Sequence, residues 1–329
     1  MKKKVLLTVV MMMLMFALAG CGSKNKNVTT LIMADVQEGD HPTALACDKF
    51  AELVKQKTDG RINIEVYHGQ TLGTEAEQIA QVTVGGIDFV RVSSPVASYY
   101  DDIKAFQALY LYGSEDDMWK VLDGDIGNEF LKAQKLKDNG IEGLCWFSGG
   151  SRNFYNNVKA VTSPDDLKGL TLRVNTDSMF AFLEKCGAKG VNVSYGDIYN
   201  AISDGTIDGA ENNWPSYIST GHYKVAPYIT VDEHTRIPEM IAASTETMSK
   251  LSAQDQQIIR ECANEASHLQ RQWMKEYDEK AIKQAEEAGC TITYLTQEQV
   301  AKFQSVAEPV NEKVSSKYIN IIKKIKAAQ

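Results

Sequence analysis

Apolar and polar positions along most of the chain follow two alternating periods. Residues Arg61–Tyr67 alternate with period two, which is typical of a half-buried strand. An apolar run at Thr30–Asp35 predicts another strand, and His41-Pro42 begins a helical run that ends at Thr58-Asp59-Gly60. Strands that alternate with helices in this way indicate an α/β fold.

The same alternation returns in a second run. Leu170–Val174 is predicted as a strand and Thr176–Cys186 as a helix. A helix stop followed by a short strand occurs twice, as GGIDFV at 85–90 and as GTIDGA at 205–210. This similarity favours two lobes built on one plan, and a chain of this length is sufficient for two α/β lobes.

A long helical pattern marks the last third of the chain. Ser252 and Asp255 give a helix start signal, and an apolar stripe with helical spacing continues to Ala288-Gly289. One continuous helix of about 35 residues would be roughly 50 Å long, longer than one small lobe. We therefore expect a helix that bridges both lobes; the alternative is two shorter helices with a break near Tyr277.

The N-terminal residues resemble an export signal. Three lysines precede an apolar run from Val5 to Ala19, which predicts a secretory signal peptide over residues 1–20. Leu18-Ala19-Gly20-Cys21 resembles a bacterial lipobox, so Cys21 is expected to be the lipidated first residue of an anchored tether over residues 21–28. The alternative is an ordinary signal peptide with a chance cysteine.

Charge and cysteine content limit the partners. The formal net charge is −8 and becomes about −11 without residues 1–20, which argues against nucleic acid as a partner. Besides Cys21 the chain has five cysteines without a CxxC pair, so we expect buried thiols and no metal cluster; the alternative is a Cys–Cys bridge. These five are Cys47, Cys145, Cys186, Cys262 and Cys290.

Common enzyme signatures are absent from the sequence. It contains no G-x-S-x-G, H-E-x-x-H, Walker A or G-x-G-x-x-G motif, and its histidines lack metal-ligand spacing. Asp232-Glu233-His234 is a weak candidate for acid–base chemistry, because such a tripeptide is more often a loop or a strand end. We expect no catalysis, no metal and no cofactor.

Two arginines and an asparagine form the best candidate site. Arg173 ends the predicted strand Leu170–Val174, Arg152 lies in GGSRNFYNN, and Asn213 lies in GAENNWPSY. A guanidinium fits a carboxylate in two parallel hydrogen bonds, and an amide can donate to the same oxygens. Each residue also has an ordinary alternative: Arg152 in a surface loop, Arg173 paired with a structural acid, Asn213 capping a turn. The pattern predicts capture of an organic acid.

Longer strings around these residues resemble a known family. SPDDLKGLTLRV, followed by YGDIYNAISDGTIDGAENN, is similar to the substrate-binding proteins of TRAP transporters, the DctP-like family, and YHGQTLG extends the resemblance toward the N-terminus. The resemblance implies that Arg173 forms the main salt bridge with a ligand carboxylate, assisted by Arg152 and Asn213, and that Tyr195 packs against the ligand. It implies a two-lobed periplasmic-binding-protein-like fold with a cleft between the lobes.

The ligand is expected to be a sugar acid. His41, Glu77, Arg91, Ser93 and Glu239 are predicted to face the cleft, where carboxylates would accept hydrogen bonds from hydroxyls but repel a second carboxylate. DFVRVS and ENNWPSY resemble the hexuronate-binding branch, which implies glucuronate or galacturonate. Alternatives are a C4-dicarboxylate receptor, a sensor feeding a signalling partner, and, in another class, a secreted enzyme acting on uronate-containing sugars.

The predicted organisation follows from that resemblance. Lobe I is expected to contain residues 29–150 and about 239–275, and lobe II residues 151–238 and about 276–329. The protein would be an extracytoplasmic monomer, anchored to the membrane by Cys21, that delivers its ligand to TRAP membrane permease subunits.

Overall fold

A computed structural model describes residues 28–329; the predicted signal peptide and Cys21 lie outside the described residues. The strands are β1 (Thr29–Ala34), β2 (Ile62–Tyr67), β3 (Phe89–Val92), β4 (Ile141–Phe147), β5 (Ser151–Asn156), β6 (Thr171–Arg173), β7 (Lys189–Val191), β8 (Gly209–Asn212), β9 (Tyr228–Arg236), β10 (Glu239–Ser244) and β11 (Thr291–Tyr294). They form two sheets, with orders β2-β1-β3-β10-β4 and β11-β9-β5-β8-β6-β7. Two mixed sheets with helices confirm the predicted α/β class.

Helices cover both sheets. They are α1 (Pro42–Lys57), α2 (Glu75–Thr83), α3 (Glu115–Leu122), α4 (Asp125–Leu131), α5 (Gln134–Asp138), α6 (Asp177–Lys185), α7 (Ile198–Ser203), α8 (Trp214–Ser219), α9 (Thr245–Lys250), α10 (Ala253–Glu287), α11 (Gln297–Val314) and α12 (Ile319–Ala327). None of the helices within residues 28–329 combines the length and the apolar character needed to span a bilayer. The five cysteines of this part of the chain are free thiols, and all except Cys290 are buried.

Each sheet has an apolar core on both faces, because successive strand residues point to opposite sides. On β3, Val90 and Val92 pack on one face of the first sheet, while Phe89 packs on the other. On β5, Phe154 and Tyr155 divide between the two faces of the second sheet in the same way. Helices therefore sandwich both sheets, and each sheet forms the centre of one lobe.

Helix α10 joins the two lobes. It is continuous over 35 residues, and Ser252 caps its N-terminus by accepting a hydrogen bond from the Asp255 amide. Ile259 and Ala266 pack in the core of the first lobe, and Ala281 and Ala285 in that of the second. The predicted bridging helix is confirmed, and the alternative of a break near Tyr277 is wrong.

The carboxyl-terminal helix corrects the predicted lobe boundary. Residues 276–329 were assigned to lobe II, and α11 does pack there through Phe303 and Val310. Helix α12, however, returns to the first lobe, where Ile322 and Ile325 pack in its core. Helix α12 is amphipathic, and its apolar face is buried in the first-lobe core.

Phe50 tests the packing of the first lobe. Its ring on α1 is fully buried and meets Phe89 edge to face at 5.5 Å between ring centroids. Phe50→Ala leaves a cavity and should lower the free energy of unfolding by about 3–5 kcal/mol in urea denaturation. Leu45→Ala on the same helix is the control: Leu45 is 44 % exposed and should cost less than about 1 kcal/mol. Equal losses would contradict this packing.

Candidate functional site

A cavity of about 490 Å³ lies between the two lobes. The first lobe contributes lining residues between 70 and 76 and between 94 and 107, and the second contributes residues between 173 and 177 and between 192 and 195. Arg173, Tyr195 and Glu75 are among them. Of the residues predicted to bind the ligand, Arg173 and Tyr195 therefore border this cavity directly.

Arg173 is a buried cation without a counterion. It ends β6, is 7 % exposed, and donates from Nε to the Val193 carbonyl oxygen at 3.0 Å. Among the described residues no carboxylate lies within 4.0 Å of it, whereas every other arginine there has one. Burial, together with the charge of Arg152, lowers the pKa of Arg173. Its two terminal nitrogens are thus available to an anion.

Arg152 is paired with a structural acid instead. On β5 it forms a bidentate salt bridge with Glu211 of the neighbouring strand β8, and its Nη1 donates to the Asn212 side-chain oxygen at 2.7 Å. Burial opposes its charge, but Glu211 outweighs burial and raises the pKa of Arg152. The structural pairing raised as an alternative for Arg173 therefore applies to Arg152, which keeps only one N–H free of protein partners.

A chain of buried charges supports this pair. His234 lies between Glu211 and Asp232, with Nδ1 2.9 Å from Asp232 and Nε2 3.2 Å from Glu211. Burial disfavours the charged imidazole, but the two carboxylates outweigh it and raise the pKa of His234 to about 9. Asp232 and His234 thus hold Glu211, and through it Arg152, in place.

Asn213 caps a helix, and its neighbour Asn212, which was not predicted as a site residue, lies beside Arg152. The Asn213 side-chain oxygen accepts from the Ser216 amide at 2.7 Å, capping α8, and its Nδ2 donates to Gly149 O at 2.7 Å. Turn capping was the alternative foreseen for Asn213. The Asn212 oxygen accepts from Arg152 and from the Asn213 amide, while its Nδ2 has no partner among the described residues. Asn212 thus presents a free amide donor beside Arg152.

The first lobe supplies a wall rich in acceptors around Arg91. Its guanidinium contacts Asp35 at 2.8 Å, Glu239 at 3.2 Å and Glu75 at 3.3 Å. Burial opposes the charge, but these three carboxylates outweigh it and raise the pKa of Arg91. Burial also raises the pKa of Glu239 to about 7, and one of its oxygens has no hydrogen-bond partner. The charge of Arg91 is thus compensated, while its Nη2 and one oxygen of Glu239 have no hydrogen-bond partner among the described residues.

Glu75, not Glu77, belongs to this wall. Thr74 caps α2, and Glu77 at the third position closes the capping box by accepting from the Thr74 amide, so Glu77 faces solvent. This corrects the prediction that Glu77 faces the cleft. Glu75 points inward and accepts from the Ser93 amide and hydroxyl. Ser93 therefore orients Glu75 through these two hydrogen bonds and is itself a positioning residue. The capping box was readable from the sequence as T-x-x-E.

His41 and Tyr195 make contacts across the cleft. The Tyr195 hydroxyl on the second lobe donates to Gln37 Oε1 on the first at 2.7 Å. His41 Nδ1 accepts from the Thr43 amide, and its Nε2 lies 3.4 Å from the Ser216 hydroxyl of the second lobe. Burial lowers the pKa of His41 to about 3, so its ring is neutral at pH 7. The lobes are therefore in contact.

These residues make the site electrically asymmetric. The second lobe offers one uncompensated cation, Arg173, and the first offers surplus acceptors on Glu75 and Glu239. Within residues 28–329 no group of three or more His, Cys, Asp or Glu is placed to hold a metal ion. The arrangement is suited to holding an anion that also carries hydrogen-bond donors.

The family follows from residues 33–317, which match DctP, bacterial extracellular solute-binding protein, family 7. The chain belongs to this family. Members of the DctP family are extracytoplasmic receptors that bind small organic acids and work with membrane permease subunits of TRAP transporters. The resemblance carried by the sequence is thereby confirmed.

Relatives of this DctP-family chain agree with the assignment. A solute-binding protein of Chromohalobacter salexigens is 33% identical over 292 residues, 86% of each chain. A solved TRAP periplasmic solute-binding protein from that species, with bound D-glucuronate, is 31% identical with a TM-score of 0.86 and covers 91% of this chain and 100% of its own. Another, from a Sulfitobacter species with bound β-D-galacturonate, is 28% identical with a TM-score of 0.85, covering 91% and 99%.

The His234 network predicts a pH dependence of stability. Because its folded-state pKa of about 9 exceeds the unfolded value of about 6.5, its contribution is complete below pH 6.5 and is lost as pH rises through 9. The difference in free energy of unfolding between wild type and His234→Gln should therefore shrink by up to about 3 kcal/mol from pH 6 to 9.5. Urea denaturation at several pH values measures it. His268→Gln, at an exposed position on α10, should leave the profile unchanged; a pH-independent difference for His234→Gln would contradict the charged network.

Proposed function

We propose that this DctP-family protein is a TRAP receptor for a hexuronate, glucuronate or galacturonate. Arg173 carries the proposal, because a buried arginine without a counterion is costly unless a ligand anion completes it. A carboxylate would accept two parallel hydrogen bonds from its terminal nitrogens. Because the ligand carboxylate would compensate the buried charge of Arg173, its binding would be favoured.

Neighbouring donors fit the same carboxylate. The free Nδ2 of Asn212 and the remaining N–H groups of Arg152 and Asn213 are the amide and guanidinium donors of the second lobe. Arg152 adds charge that Glu211 largely cancels, so Arg173 supplies most of the attraction. The Tyr195 ring, which borders the cavity, would pack against the ligand.

The first lobe favours hydroxyls over a second carboxylate. Glu75 and the unpartnered oxygen of Glu239 accept hydrogen bonds, and neutral His41 lies nearby. No cation on this wall lacks a carboxylate partner among the described residues, because Arg91 contacts three. The second carboxylate of a C4-dicarboxylate would meet like charge here, whereas sugar hydroxyls would find acceptors. The solved relatives with bound glucuronate and galacturonate support this choice.

Ligand binding would draw the two lobes together. Arg173 and Tyr195 on lobe II and Glu75 on lobe I all line the cavity, so one ligand there would touch both lobes. A ligand that bridges the lobes shifts the population toward the closed form. The closed receptor would then present its uronate to the membrane permease.

Arg173→Met tests the carboxylate clamp. Losing the partner of a buried ionic contact costs about 2–5 kcal/mol, which is roughly 30- to 5,000-fold in Kd. Glucuronate and galacturonate should raise the melting temperature of the wild type and not of the variant, while succinate should raise neither. Because Arg173 has no counterion, the ligand-free variant should be at least as stable as the wild type.

Arg260→Ala is the matched control for charge removal. Arg260 pairs with Glu142 on the first lobe, outside the cleft, and its loss should leave the uronate response intact. A succinate response equal to that of the uronates would support the dicarboxylate alternative. Turnover of the uronate during incubation would instead support an enzyme.

A lipid anchor at Cys21 completes the proposed function. The basic start, apolar run and Leu18-Ala19-Gly20-Cys21 support it. In bacterial cells, Cys21→Ala should abolish labelling with a fatty-acid probe and leave the protein out of the washed membrane fraction, since the anchor is gone. Cys47→Ala, which changes a buried thiol, should keep both. Unchanged labelling of the Cys21 variant would refute the anchor.

A further inference from the structure

The cavity between the lobes is larger than one hexuronate needs. Its volume of about 490 Å³ falls in the range of pockets that hold drug-sized ligands, whereas a hexuronate has only about thirteen non-hydrogen atoms. Arg173 and Glu75 line the cavity, but Arg91 and Glu239, which lie behind Glu75, do not. A uronate held between Arg173 and Glu75 therefore leaves part of the cavity free.

Polar uncharged side chains line the remaining part. Ser94, Ser98 and Gln107 contribute from the first lobe, and Asn175 and Thr176 from the second. The Ser94 hydroxyl oxygen belongs to a side chain that is only 8 % exposed and has no hydrogen-bond partner. The Asn175 oxygen also has none. Unpaired buried polar atoms on a cavity wall are costly unless a polar ligand or water completes them.

Among the described residues, the charges of this part leave no cation for a second anion. Lys104 contacts Asp177 across the cleft at 2.9 Å and Asp101 at 3.4 Å. Lys317 also contacts Asp101, at 2.5 Å. The two ammoniums and two carboxylates compensate one another, so a second ligand carboxylate would lose its hydration without gaining a partner. A neutral group with hydroxyls would not bear that cost. The side chains of Lys104 and Asp177 are 34 % and 65 % exposed, so the cavity reaches solvent at this pair.

We infer that the cleft contains a second subsite, formed by Ser94, Ser98, Gln107 and Thr176, that takes an uncharged sugar joined to the uronate. The ligand class is an aldobiouronate, a uronate linked glycosidically to a neutral sugar. The inference rests on the proposed uronate site, because Arg173 anchors the acidic unit. The neutral unit extends from it toward the Lys104–Asp177 pair.

Calorimetric titration with three ligands tests the subsite. Free galacturonate, galacturonate linked to a neutral sugar, and digalacturonate are compared on the wild type. The neutral-linked ligand should bind within about tenfold of free galacturonate, and digalacturonate at least about tenfold more weakly than the neutral-linked one. Ser98→Trp places a large side chain at an exposed position of the cavity wall. It should weaken the neutral-linked ligand by about tenfold or more and leave free galacturonate within about twofold.

Ser249→Trp, at an exposed position on α9 away from the cavity, should change none of these values. Binding of free galacturonate without binding of the neutral-linked ligand overturns the subsite and leaves the proposed function standing. Free glucuronate and its neutral-linked form are titrated in parallel, and failure of every ligand overturns the proposed function itself. If Ser98→Trp does not weaken binding of the neutral-linked ligand, the location of the subsite is wrong. If digalacturonate binds as tightly as the neutral-linked ligand, the charge argument is wrong.

Discussion

The architecture of the site depends on one uncompensated charge. Arg173 is held by a single backbone carbonyl in a buried position, while Arg91 contacts three carboxylates and Arg152 is paired with Glu211. Burial disfavours the charged form of all three arginines. Protein groups compensate this cost at Arg91 and Arg152 but not at Arg173. Among the described residues, the site thus holds one unpaired positive charge, at Arg173, while the paired arginines Arg91 and Arg152 leave the surrounding walls near neutral. The position of this unpaired charge determines which ligand is selected.

The fold positions the groups that contact the ligand, and their charges determine which ligand satisfies them. The carboxyl edge of the second sheet positions Arg173, and the capped start of α2 positions Glu75 opposite it. Neither group alone distinguishes a sugar acid from a dicarboxylate. Discrimination arises because the cation and the acceptors are fixed on different lobes, so a ligand satisfies both only if its carboxylate and its hydroxyls are suitably separated.

Sequence reasoning was sufficient where a signal is local. The Ser252–Asp255 start and the apolar stripe predicted α10, and the LTLRV string predicted the strand that Arg173 ends. It failed where the partner is distant along the chain: Glu211 lies 59 residues from Arg152, and only the β5–β8 pairing brings them together. Glu77 was predicted to face the cleft, but it closes the capping box that begins at Thr74 and therefore faces solvent. The return of α12 to the first lobe is likewise a long-range event.

The position of α12 has a consequence for biosynthesis. Tyr318, Ile322 and Ile325 complete a core whose other members come largely from the first half of the chain. The amino-terminal lobe therefore lacks part of its interior until residues 318–325 have left the ribosome, and it cannot finish folding before they do. The nascent chain stays incompletely folded for longer, which suits a protein that reaches its site of action on the far side of a membrane.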